Sequence, residues 1–531
     1  MSEYSHLPSR PPTNTGASLP SISMVKIGGS VLTQEQDRLS TLLEEHGLEY
    51  TLDGEHIRWL SSNPNHPRNW RPLRKIYDSG LIIILDLFTT AVSTAGSAAA
   101  DHARHEFGIS RTLGVFIFVS VYLLGQGIGG IIFPPYSEAF GRKKLYIIST
   151  ALYSVFCLMI GLVPSISGVV VGRFFSGFLS AMPTIVVAGS IEDIFNSKDR
   201  IWLIFTWAVV ANMGLILGPI MSIYIIILLD WRWVFYVAAI FTALITCLLF
   251  GIRESRPSLL LAQEVAKLRK ITGIDTLVAL NPDHTPDMNT FIRVALFRPI
   301  KLFFTEPIVF LVATISAIAF ALIYLFTEAL PPIYEQLGFT KTTSSLPFLA
   351  IGVGLICGLF TRIIDYKTIV RYQRDGKTLQ PEHKLIGFSI GAPVLAVGLW
   401  WFAWTIPPHA QGVSWIVSGL SLVLIGYAVN EFDAVLAGYL ADSYLSYSAS
   451  GFAALSLVRS TLSAIFPLFA GKMYEGLGAN LATSVLAAVA TIFCIIPPLL
   501  TRYGPRVRAC SKFAKYSLKV YQESGVDKDG Y

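Results

Sequence analysis

Charge is scarce in this chain. Asp, Glu, Lys and Arg make up 14% of its 531 residues, against about 25% in an ordinary soluble domain. That scarcity excludes an intrinsically disordered chain and argues against a soluble enzyme. Cysteine is sparse as well: Cys157, Cys247, Cys357, Cys494 and Cys510, with no CxxC pair, of which four lie inside apolar runs. A disulfide framework and a thiolate zinc site are both unsupported. The nine histidines are scattered and no HExxH occurs, so no metal is expected. The absence of a Walker phosphate loop removes ATP as a driving force, and no cofactor is expected. No basic stripe with interleaved aromatics is present, which leaves nucleic acid without a docking surface. There is no Asn-x-Ser/Thr sequon, and the polar first 76 residues do not read as a cleavable signal peptide.

Apolar residues are abundant instead, at 53% of the chain. They are also bunched. From Ile76 to Leu500 they recur in runs of about 20, the length that crosses a hydrocarbon core of ~30 Å. The pattern predicts an all-α membrane protein with twelve transmembrane helices. Six fall near 77–99, 113–133, 145–163, 169–191, 201–229 and 233–252, and six near 307–327, 345–361, 386–405, 413–440, 451–470 and 479–500. The expected organisation is an N-terminal region 1–76, a six-helix bundle 77–252, a linker 253–305, a second six-helix bundle 306–500 and a tail 501–531. Residues 1–32 read as disordered, and Thr33 with Gln36 as the capping box of a short helix that ends at Gly47. In the linker, Pro257 and Gly273 bracket a basic amphipathic helix with Leu261, Val265 and Leu268 on one face. It is expected either to lie on the inner leaflet or to act as a plain connector.

Orientation follows from Lys and Arg. With a cytoplasmic N-terminus, the inner loops hold 19 basic residues, and the outer loops hold Arg104, Arg111, Arg232, Lys341 and Lys472. Both termini are therefore expected in the cytoplasm. The halves also echo each other. Span 2 carries Gly125, Gly127, Gly129 and Gly130 before Glu138, and span 8 carries Gly352, Gly354 and Gly358 before Asp365. Repeated halves around a central site are a plan of secondary transporters.

At PPYSEAFGRKKLY (134–146) a family signal emerges. The stretch resembles the loop 2–3 signature of the major facilitator superfamily. The stretches NPNHPRNW (63–70), GRFFSGFLSA (172–181), WRWVFYV (231–237), RESRPSLLL (253–261) and YLADSY (439–444) resemble its fungal-type twelve-span drug:proton antiporter branch. Two departures are visible: Pro134 where the signature opens with Gly, and Ser222-Ile223 where small residues follow Gly-Pro. The resemblance implies the major facilitator fold, two pseudo-symmetric bundles, and multi-pass insertion in the plasma membrane. It implies export of a small, mostly apolar drug or secondary metabolite by proton antiport through alternating access, with the protein acting as a monomer among lipids. An importer or polyamine carrier is the alternative within transport, and a non-transporting membrane sensor is the alternative outside it.

The candidate residues follow. Glu138, Gly141, Arg142 and Lys143 leave the membrane at a tight turn, with Asp193 a natural partner for Arg142; the resemblance makes them a cytoplasmic latch. As an exposed pair this would be worth at most about 1 kcal/mol. Gly214, Gly218 and Pro219 suit close helix approach and a kink, and the resemblance implies that they seal one half against the other. Charges inside spans are expensive and usually functional. Arg173 matches the family arginine of span 4 implicated in proton coupling. Arg459 is expected to pair with Asp433 or Glu431, leaving Asp86 as the acid that exchanges a proton. Gln126, Asn212, Asn430, Glu431, Asp433 and Arg459 are expected around a central cavity, with Trp207, Tyr224, Phe320 and Tyr324 as aromatic walls. Glu328 is expected to meet water at the outer end of span 7.

Overall fold

A bilayer offers no partners to backbone N–H and C=O groups, so each apolar run must satisfy them within itself, and a helix does so. In a computed structural model of the chain, all twelve runs are helical. The structure describes residues 40–515, apart from 52–55, 61, 275–276, 281–296, 376–379, 410–411, 445–447 and 512. The N-terminal bundle comprises α1 (Pro72–Phe107), α2 (Arg111–Phe140), α3 (Lys143–Leu162), α4 (Ile166–Ile194), α5 (Ser197–Leu228) and α6 (Trp231–Leu249). Two shorter helices follow, α7 (Pro257–Thr272) and α8 (Arg298–Thr305). The C-terminal bundle comprises α9 (Pro307–Gln336), α10 (Phe348–Arg374), α11 (Ile386–Thr405), α12 (Trp415–Tyr444), α13 (Ser448–Leu477) and α14 (Ala479–Cys510). Twelve alternating crossings bring the start of α1 and the end of α14 to one side, the termini side; the other is the far side.

Several helices outrun the hydrocarbon. α1 has 36 residues, about 54 Å at 1.5 Å per residue. It starts five residues before the expected 77 because Pro72 suits the first turn, and it stops at Gly108, whose φ of 64° suits a C-terminal cap. α10 continues past the expected 361 to Arg374, so Arg362 and Asp365 lie in helix rather than in a loop. α7 starts at Pro257 and stops at Gly273, as expected. Leu261, Val265 and Leu268 on its apolar face are buried in protein.

The glycines of α2 explain its double role. A Cβ on Gly125 or Gly129 would strike the backbone of α4 at Phe174 or Phe178. A Cβ on Gly127 would lie 3.1 Å from the Ser460 Cβ, and one on Gly130 2.7 Å from the Ser456 Oγ, both on α13. One face thus closes the N-terminal bundle and the other forms the seam with the C-terminal bundle. The second seam is α5 against α10, where Met213 and Ile216 meet Gly352.

Residues up to Asn63 form a separate unit. A helical segment over 40–45 ends near Gly47 (φ 66°), and β1 (Leu48–Tyr50) pairs antiparallel with β2 (Ile57–Trp59). Leu43, Leu48 and Ile57 are its buried apolar residues. The stretch expected to be disordered, the Thr33–Gln36 capping box and the tail beyond 515 lie outside the described residues.

Candidate functional site

A polar cavity lies between the bundles. Asp86 and Thr90 of α1, Gln126 of α2, Thr184 of α4 and Trp207 and Asn212 of α5 line one side; Phe320 and Tyr324 of α9, Asp433 of α12 and Arg459 of α13 line the other. About 40 Å³ is open to water centres, room for a few waters at ~10–15 Å³ each. In this conformation the cavity is small and must widen to admit an organic molecule. Asp86 is fully buried and sits fifteen residues into α1. It accepts hydrogen bonds from the Trp207 Nε1–H at 2.7 Å and the Thr90 hydroxyl at 3.4 Å. No cation pairs with it among the described residues. Arg459 donates to Asp433 at 3.1 Å, and its guanidinium lies 4.5 Å over the Phe320 ring. The expected pairing of Arg459 with Asp433 is thus present.

Four candidates lie elsewhere. Arg173 is fully buried inside the N-terminal bundle, where it donates to the Phe118 carbonyl and stacks on Tyr122 at 4.5 Å and Phe235 at 5.4 Å. Phe118 lies in a π-helical stretch, Phe116–Ser120, whose wider turn presents a carbonyl to a neighbour. Arg173 does not join Asp86 in the cavity. Glu431 and Asn430 point into the C-terminal bundle, and Glu431 pairs with Arg362 at 2.6 Å. The reason is angular: Glu431 and Asp433 stand two residues apart on α12, about 200° around a helix of 3.6 residues per turn. Tyr224 is part-exposed and does not line the cavity. Thr184 is a lining residue that composition alone did not single out. The run Gly387-Phe388-Ser389-Ile390-Gly391 has the spacing of a hydrolase nucleophile elbow, yet it lies within α11, where the Ser389 hydroxyl donates to the Leu385 carbonyl at 2.9 Å.

On the termini side, the Arg142 Nε lies 2.7 Å from the Asp193 Oδ2, and its Nη1 donates to the Val186 carbonyl at 2.9 Å. The pair is buried rather than exposed: the two side chains retain 4% and 7% of their accessible surface. Arg256 approaches the other Asp193 oxygen at 3.4 Å. Glu254 accepts from the Arg142 and Lys143 backbone N–H groups at 2.9 and 3.0 Å, capping the start of α3. Gly141 (φ 93°) is needed there, since a Cβ would lie 2.7 Å from Glu254. The Lys143 Nζ turns to the Phe250 carbonyl, and Glu138 stands in the last turn of α2. Glu254 and Arg256 sit in the RESRPSLLL stretch, but their part in this cluster needs the fold. Nearby, His66 caps the Pro67–Asn69 turn; burial, with Arg68 and Lys75 beside it, pushes its pKa down to about 4.

On α5, Gly214 and Gly218 face α1. A Cβ on Gly214 would lie 3.0 Å from the Thr90 Cβ, and one on Gly218 would strike Thr94 and the Ala91 carbonyl. This glycine face, with Pro219 inside the helix, therefore packs within the N-terminal bundle. On the far side, Glu328 is buried and does not meet water. It accepts from the Ser97 hydroxyl of α1 and from the Arg111 Nη2 of α2, the latter at 3.2 Å. Arg111 also reaches Glu475 at 3.3 Å. Ser93 with Tyr324 (2.8 Å) and Ser120 with the Ala464 carbonyl (2.6 Å) add further hydrogen bonds across the same seam.

Comparison with known proteins agrees with this geometry. The chain is similar, at 32% identity over 90% of its length and 82% of the relative's, to the multidrug transporter TPO1_2 of Candida glabrata. It is 30% identical to the MFS-type transporter penM of Penicillium rubens, over 92% of this chain and 97% of that one. It is 29% identical to the ascochitine biosynthesis cluster MFS transporter of Didymella fabae, over 87% and 90%. A crystal structure of a D-xylose–proton symporter superposes with a TM-score of 0.57 at 16% identity, covering 80% of this chain and 97% of that one. The family model of the Major Facilitator Superfamily matches residues 81–467. Twelve apolar helices in two bundles, a polar cavity between them and these relatives together make the chain a membrane transporter rather than an enzyme, and it belongs to the major facilitator superfamily, in the fungal-type multidrug and secondary-metabolite efflux branch.

Proposed function

We propose that the protein exports a small, mostly apolar organic compound across the plasma membrane in exchange for protons, with both termini in the cytoplasm. One observation carries the reading: Asp86, fully buried, faces the cavity between the bundles with only neutral hydrogen-bond donors on it. A buried carboxylate held by neutral groups is an acid whose charge can change during a cycle without breaking an ion pair. Intramembrane acids facing a water-filled cavity mark proton relays. Trp207, Phe320 and Tyr324 supply apolar surface beside it, as a greasy cargo requires. The relatives named as multidrug transporters support the direction and the cargo class. Because Arg459 neutralises Asp433, Asp86 is the one unpaired carboxylate among the described residues lining the cavity, which suits an apolar or singly charged compound better than a polyamine.

Inside-out vesicles with an imposed pH gradient test this, using a panel of lipophilic fluorescent dyes as probes. Dye accumulation that collapses with the gradient is expected, falling at least tenfold in Asp86→Asn. Gradient-driven accumulation that persists unchanged in Asp86→Asn rejects Asp86 as the coupling acid.

A further inference from the structure

The C-terminal bundle contains a second polar cluster, outside the central cavity. α10 supplies Thr361, Arg362 and Asp365, and α12 supplies Tyr427, Asn430 and Glu431. The Arg362 Nη2 lies 2.6 Å from the Glu431 Oε2 and 3.0 Å from the Asp365 Oδ2, so one nitrogen serves two carboxylates. The cluster is built rather than incidental. A Cβ on Gly387 of α11 would collide with Glu431 and come within 2.8 Å of Arg362, so glycine is what admits the pair. A Cβ on Gly358 would lie 2.6 Å from the Asn430 Nδ2 and 3.1 Å from the Glu431 Oε1, so these two atoms converge on one spot.

Hydrogen bonding in the cluster is incomplete. Glu431 and Asn430 are both fully buried, yet the Glu431 Oε1 and both amide atoms of Asn430 have no partner. The Asp365 Oδ1 and the Arg362 Nε are also unmatched. Buried polar groups are ordinarily satisfied, and each exception marks a missing partner or a role. The charges are also unequal, with two carboxylates to one guanidinium. Elsewhere around the cluster, Lys384 is engaged by Asp442 at 2.7 Å, Tyr427 shares a 2.6 Å hydrogen bond with Thr361, α11 contributes glycines, and α5 contributes Phe205 beside Gly358. Asp433 and Arg459 balance each other on the cavity side.

We infer that Glu431, with Asp365 and Arg362, is a second proton-binding site, set in the wall of the C-terminal bundle. A proton from bulk water bonds to the Glu431 Oε1. Neutralising Glu431 leaves Arg362 with Asp365 as its single charged partner. Release returns the proton to water and restores the shared arrangement. Phe205 and Gly358 belong to the α5–α10 seam, so the site's charge changes next to the surface along which the bundles move. The inference rests on the reading above only in taking the proton as the coupled ion.

The test uses the full-length protein in detergent and protons alone as the probe. Infrared difference spectra recorded during acid–base titration follow the C=O stretch of protonated carboxyl groups. A band is expected in the wild type that disappears in Glu431→Gln, persists at a shifted position in Glu431→Asp, and is untouched by Asp86→Asn. A separate band lost only in Asp86→Asn belongs to the cavity acid, so its absence would count against the coupling reading and not against this one. Retention of every band in folded Glu431→Gln overturns the inference, as does an unshifted band in Glu431→Asp or a band lost only in Asp365→Asn.

Discussion

Adding a methyl group at the right glycine separates packing from empty space. Gly218 of α5 touches Thr94 and the Ala91 backbone of α1, whereas a Cβ on Gly476 of α13 meets nothing within 4 Å. Overpacking a close contact costs about 1–3 kcal/mol, and Gly to Ala in an open helical position gains roughly 0.5–1 kcal/mol. Thermal melts in detergent should therefore show Gly218→Val lowered and Gly476→Ala level or raised. The Arg142–Asp193 pair is legible in the sequence because Arg142 sits in the loop 2–3 signature and Asp193 ends span 4 on the same side. Its strength is not. Treated as exposed, it is worth at most about 1 kcal/mol. The fold buries both partners and brings up Arg256, so Asp193→Asn leaves the buried Arg142 guanidinium without its anion and should cost about 3–5 kcal/mol. The same melts check this, and Arg142→Gln added to Asp193→Asn should recover part of the loss.

Elements were easier to read than the faces they present. Twelve spans and their order are visible because an uninterrupted apolar run of about 20 residues has few other uses. Which side of each span faces a neighbour is hidden, because lipid and bundle interior are both apolar and no polar stripe sets the phase. Glu431 was therefore expected beside Asp433 in the cavity, although the turn of α12 sends it to Arg362. Arg362 reads as loop because a run of charge follows span 8, whereas α10 carries that charge inward against α12. The amphipathic α7 shows the converse: its stripe was clear, but its partner could be lipid or protein, and Leu261, Val265 and Leu268 are covered by protein. Leu268→Ala should cost about 2–5 kcal/mol, read as a lower melting temperature and faster proteolysis of the linker. Added anionic lipid should not restore it; restoration would place α7 on the membrane.

At the scale of the whole molecule, the two ends of the seam between bundles differ in kind. On the far side, described residues bond across it through Arg111, Glu328, Glu475, Ser97, Ser93 and Tyr324, with Glu328 buried at the centre. On the termini side, the described contacts across it are apolar or made at glycine: Trp202 against Tyr366 with ring centroids 5.7 Å apart, Phe205 against Gly358, and Gly130 against Ser456. Opening the far side strands a buried carboxylate and a guanidinium, whereas opening the termini side exposes mainly greasy surface. The Arg142–Asp193 pair does not alter this asymmetry, since both residues belong to the N-terminal bundle. The bundles should therefore part more readily on the termini side, and the far-side ion pair should set that bias. Glu328→Gln removes the charge that holds Arg111 while keeping the side chain's shape. A bias of about 1.4 kcal/mol corresponds to a tenfold change in the ratio of two states, and a conformational equilibrium moves by as much as the differential interaction removed. Spin labels at Ser167→Cys and Lys341→Cys, in a background without the native cysteines, report the far-side separation of the bundles. The wild type should show mainly the short distance. Glu328→Gln should raise the long-distance population several-fold, and Arg111→Gln should do the same. If neither variant moves the distribution, the far-side network does not hold the bundles together, and the bias must come from packing along α2–α13 and α5–α10.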